Sequence, residues 1–190
     1  MKASYLESVI KQIEYYKLLG EKTFDQVGDD DLFWKYNEES NSIATIVKLL
    51  SGNMISRWTD FLTSDGEKPW RNRDAEFEND LSSKESMLLL WHQGWNVLLA
   101  TLRSLEPEHL EEIVYIRNQG HTVMEAINRQ LAHYPYHVGQ IVMIGKMCAQ
   151  KWKSLSIPKG ASQHFNQEKF SKPKRQEHFT DEYLKDTKPQ

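Results

Sequence analysis

Cysteine is nearly absent: Cys148 is the only one in 190 residues. No intramolecular disulfide can form, and a reducing cytoplasm is the expected compartment. Cys148 lies among Met143, Ile144 and Met147, a setting in which a buried, inert thiol is expected. Long apolar runs are also missing. No stretch approaches the ~20 residues needed to cross a bilayer, so no membrane span is expected. Glu7 brings a charge into the amino end before a secretory signal could form. Nor is there an excess of basic charge. The net charge is −3, which provides no field toward nucleic acid or anionic lipid, and neither is an expected partner. No internal repeat, phosphate loop, flavin motif or Ser-His-Asp pattern occurs.

What remains is an ordinary globular composition, 39% hydrophobic and 27% charged, over a length that suits one domain. Four segments carry helical periodicity. The first runs from about Ser4 to Phe24, with Leu6, Val9, Ile10, Ile13 and Tyr16 on one stripe. The second starts near Ser42 and carries Ile43, Ile46, Val47, Leu50, Met54, Trp58 and Phe61, with Asp65-Gly66 and Pro69 ending it. The third opens with a capping-box pattern, Ser82-Ser83-Lys84-Glu85, and continues as Leu88, Trp91, Trp95, Leu98, Leu102 and Leu105 until Pro107. The fourth opens with a second box, Thr122 to Glu125, and continues to about Lys151.

Four such helices predict an all-α, four-helix bundle. Two connections are long. Residues 66–81 are charged and contain Trp70; residues 106–121 include the β-prone run Ile113 to Ile116, which is expected to pair locally. The bundle domain is expected over residues 1–165. Residues 166–190, rich in Lys, Glu, Gln and Asp, read as a loosely held polar tail.

His133 and His137 are the residues most suggestive of chemistry. Four residues apart on a helix, they stack on one face, where two imidazoles can hold one transition-metal ion. At 100° per residue, with His133 at 0°, His137 falls near 40° and the apolar stripe spans about 60° to 160°, so both flank the core. Pro135, between them, removes the bond to the carbonyl of Leu131. The bland alternative is two unrelated polar positions. The Glu of His-Glu-x-x-His is missing, and catalytic zinc usually has three protein ligands, so a third must come from elsewhere. His109, His164 and His178 read as solvated. His92 reads as a core-edge hydrogen-bonding group and His121 as a loop residue closing a helix end.

Longer motifs carry a resemblance. They are Asn41 to Ala44, Gly52-Asn53-Met54, Arg57-Trp58, Asp65 to Asp74, Asn128 to His133, His137 to Ile141 and Ser154 to Gly160. Together they resemble the DinB-like superfamily, which includes YfiT-like metal-dependent hydrolases, and more narrowly its DUF1572 group. The resemblance covers about residues 1–165. It implies a divalent metal, nickel or zinc, held by three histidines: one from the second helix and two from the last. His133 and His137 match the last-helix pair. The second-helix position, three before Gly52, holds Leu49. Asn53, His92 and His121 are the further candidates to complete the site, and at most partial metal occupancy is expected.

The resemblance also implies an activity, either a metal-dependent transferase of low-molecular-weight thiols or a hydrolase. The alternatives are a non-catalytic bundle that binds a small ligand, with Trp58, Trp70 and Trp91 as candidate lining, and a stress-linked homodimer.

Overall fold

The structure, a computed structural model, describes residues 2–78 and 80–185. Four long helices dominate: α1 (Lys2–Phe24), α2 (Ile43–Trp58), α3 (Lys84–Ser104) and α4 (Val123–Cys148). A hairpin of β1 (Ile113–Ile116) and β2 (Gln119–Thr122) precedes α4, and the short helices α5 (Ser162–Phe170) and α6 (Asp181–Leu184) follow it. Packing runs from α1 to α3, to α2, to α4 and back to α1. The α1–α2 and α3–α4 connections therefore cross the bundle diagonally, while the α2–α3 connection joins neighbours. The apolar stripes meet in one core that includes Trp58, Trp91, Trp95 and Tyr134. Fully burying a side chain such as Leu50 or Met54 contributes ~1.5–3 kcal/mol before ordering costs.

The helix starts follow local hydrogen bonding. Ser42 Oγ accepts from the Thr45 amide at 3.1 Å and caps α2. Thr122 and Glu125 cap α4 reciprocally: the Thr122 amide donates to Glu125 Oε2 at 2.8 Å and the Glu125 amide to Thr122 Oγ1 at 3.1 Å. The box expected at Ser82–Glu85 forms differently. Ser83 is the cap, and Ser86 supplies both its amide and its hydroxyl to it. Helix α2 stops at Trp58, before Phe61, because Asp60 turns to φ 49° and its carbonyl accepts from Thr63 and Ser64. Helix α4 ends at Cys148 and runs through Pro135 without interruption.

The two long connections are stitched together. The expected pairing of Ile113–Ile116 is the hairpin, closed by Arg117 and Asn118 at φ 54° and 60°. Asp65 accepts from the backbone amides of Glu67, Arg117 and Asn118 at 2.7, 2.9 and 2.8 Å. Burial would raise its carboxyl pKa, and those three amides reverse that, leaving it below the usual range. Farther along, the loop 71–77 lies flat on α2. A side chain at Gly52 would meet Glu76 Oε1 at 2.1 Å, so only glycine lets the loop approach.

Residues 178–183 pack against α1. Phe179 and Tyr183 pack on Tyr15, with ring centroids 5.7 and 5.2 Å away. Asp181 pairs with Lys11 at 3.0 Å. His178, expected to be solvated, is half-buried with its Nε2 3.0 Å from Ser8 Oγ. Two aromatics, an ion pair and a histidine contact dock the segment on α1. Residues 186–190 of the expected tail lie outside the described residues.

Candidate metal centre

Helix α4 presents His133 and His137 one turn apart, with their Nε2 atoms facing each other at 3.2 Å. Each ring is held from behind. Gln140 Nε2 donates to the Tyr136 hydroxyl at 3.2 Å, which turns Gln140 Oε1 toward His137 Nδ1 at 2.7 Å. Gln130 Oε1 lies 3.2 Å from His133 Nδ1. Both Nδ1 atoms then carry the ring proton, and both Nε2 lone pairs point into the same space. A cation between them would relieve that convergence. Two neutral imidazole nitrogens aimed into one space are the donor type that zinc and nickel take.

Burial holds both imidazoles neutral. The His133 pKa is pushed down to about 4 by burial first, then by His137, Arg129, Arg57 and Arg71. That of His137 is also lowered by burial, against a smaller opposing hydrogen bond from Gln140. Neutral imidazole is the ligand form.

Helix α2 faces the pair across a hollow of about 220 Å³ that is lined by Asn41, Leu49, Asn53, Arg71, Arg73, Phe77 and both histidines. Leu49 therefore does face the histidines, and it brings no donor. Asn53 reaches the same hollow, but its Oδ1 already accepts from the Tyr134 hydroxyl at 3.1 Å, which in turn accepts from Trp58 Nε1 at 2.8 Å. His92 lies elsewhere, on α3, with Nδ1 3.9 Å from Glu21 of α1. His121 belongs to β2, across the hairpin from Val114. Neither lines the hollow. No group of three or more His, Cys, Asp or Glu able to hold a metal occurs among the described residues. The donors present thus fit a two-ligand hold on an ion and fall short of the usual three.

Several lining residues escaped the sequence reading. Arg71 and Arg73 arrive on the α2–α3 connection. Glu76, itself buried, grips Arg71 with two bonds of 2.7 and 2.8 Å. A second hollow, about 400 Å³, also borders His133 and is lined by Asn53, Arg129, Gln130, Ala132 and Tyr136 as well. Neither lining contains a carboxylate. The glutamines had a readable signal: Gln130 stands three residues before His133 and Gln140 three after His137. Trp58 and Trp91 are core, and Trp70 is exposed; none of the three lines either hollow.

Fold and site together define a helical bundle with a paired-histidine pocket at the α2–α4 face. The family model described as Protein of unknown function (DUF1572) matches residues 1–161, and the chain belongs to that family. Comparison with curated proteins and with solved structures finds no match.

Proposed function

We propose that this chain is a divalent-metal-dependent enzyme acting on a small molecule, as a thiol transferase or a hydrolase, with a metal centre reduced to two histidines. The observation that supports it is the convergence of two neutral Nε2 atoms at 3.2 Å, each ring fixed by a glutamine oxygen. His133 and His137 would hold the ion, nickel or zinc. A bound ion would act as a Lewis acid, lowering the pKa of a thiol or a water beside it. Gln130 and Gln140 keep the ring protons on Nδ1 and the donor atoms aimed inward. Leu49 gives the opposite wall an apolar surface, and Asn53 is kept in place by the Tyr134–Trp58 chain.

A second reading is a bundle that binds a small ligand without turnover. Leu49 at the third-ligand position favours it, because a loosely held ion is a weak basis for catalysis. Two assay panels separate the readings: addition of small thiols to an aromatic electrophile, and hydrolysis of activated esters. Both use the full chain supplied with zinc or nickel. The enzyme reading expects metal-dependent turnover that is lost in His133→Ala and His137→Ala variants of unchanged helicity. No turnover in either panel with metal supplied in excess leaves the binding reading.

A further inference from the structure

The two hollows beside the histidines do not end there. A groove of about 550 Å³ shares Asn41 with one and Tyr136 with the other. Its lining includes Trp34, Tyr36, Met143 and Met147, exposed by 38%, 74%, 59% and 51%. Large apolar side chains this exposed and this close together mark a binding surface more often than chance, and methionine adapts to varied shapes. Glu39 is the one carboxylate in the groove's lining. Beside the histidines the charge is opposite: Arg71, Arg73 and Arg129 without a carboxylate, in a chain whose net charge is −3. Arg71 is neutralised by Glu76; Arg73, whose guanidinium lies over the Phe77 ring at 5.1 Å, and Arg129 are exposed and make no ion pair among the described residues. Arginines without a carboxylate partner beside a neutral histidine pair suit an anion.

We propose that the site takes an amphipathic anion, its acidic group beside Arg73 and Arg129 and its apolar body along the Trp34–Tyr36–Met143–Met147 groove. This rests on the histidine pocket being a substrate site, but it does not require the metal. An acid also supplies the negative charge that the pocket's own residues lack.

The probes are octanoate, octyl phosphate, acetate and octanol, titrated calorimetrically into the full chain with and without zinc. Octanoate or octyl phosphate is expected to bind at least about ten-fold more tightly than acetate or octanol, with zinc or without it. The stronger of the two identifies the acid. Arg73→Ser with Arg129→Ser should reduce the acid to the level of octanol. Met143→Glu, at an exposed position, should reduce it to the level of acetate. An acid no tighter than both controls overturns the proposal, as does indifference to both variants. Conversion of a dimer to a monomer by Met143→Glu, seen by sedimentation, would overturn it too, by showing that a second copy covers the groove. Because binding is read in metal-free protein, a failed metal centre would appear separately, as acid binding without metal uptake.

Discussion

Gln140 carries more of the site than its ordinary identity suggests. Its amide is oriented by Tyr136, and that orientation places the proton of His137 on Nδ1. Replacing it with leucine removes the acceptor and frees the ring. Gln140→Leu should weaken zinc binding by ~10–100-fold, the usual cost of losing such a backing contact, read by competition with a chromogenic chelator. Leu49 gives the complementary case. It lines the same hollow as both histidines, so Leu49→His brings a third nitrogen toward them. Zinc affinity in that variant should rise by at least about ten-fold. Unchanged affinity would show that α2 does not offer position 49 to the pair. The histidines themselves were legible because a four-residue spacing is a property of one helix. The arginines were not. Arg71 and Arg73 reach the site through the docking of a loop, which no local pattern encodes.

That docking belongs to the scale of elements. The α2–α3 connection is pressed to α2 by the absence of a side chain at Gly52 and is fastened by Glu76 to Arg71. Gly52→Ala would drive a methyl group into the Glu76 carboxylate. The expected loss is about 1–3 kcal/mol, measured by urea unfolding, with a displaced Arg73 seen as altered anion binding. An unchanged midpoint would mean the loop rests elsewhere. Four helices were readable from periodicity because each buries one stripe in one core. The early stop of α2 was not, since Phe61 continues the apolar rhythm while the Asp60 backbone turns away. The docking of Phe179 and Tyr183 was not readable either. Composition averages over a segment, whereas Phe179 and Tyr183 act singly on Tyr15. The family match ends at residue 161, so α5 and α6 lie beyond it.

At the scale of the whole molecule, the buried imidazoles make stability depend on acid. Unfolded, His133 titrates at its ordinary 6.5; folded, it is pushed down to about 4, and His137 shifts the same way. As pH falls through that window the unfolded chain takes up protons first, so the metal-free protein loses stability from about 6.5 down to about 4. The loss is complete below that range and zero well above it. Urea midpoints of His133→Gln should fall less steeply between those limits than those of the parent chain; parallel curves would show that the ring is not held neutral. A bound metal would oppose the loss, because it would hold the folded, neutral pair. The central claim is that pair: two histidines that hold an ion without a third protein ligand. Metal content and zinc affinity of the untagged full chain, measured against His133→Ala, test it most directly. The expected result is substoichiometric nickel or zinc, removed by dialysis and regained in a titration that His133→Ala abolishes. One tightly retained ion per chain would contradict it by requiring a third ligand, and uptake identical in parent and variant would contradict it by removing the pair from the site.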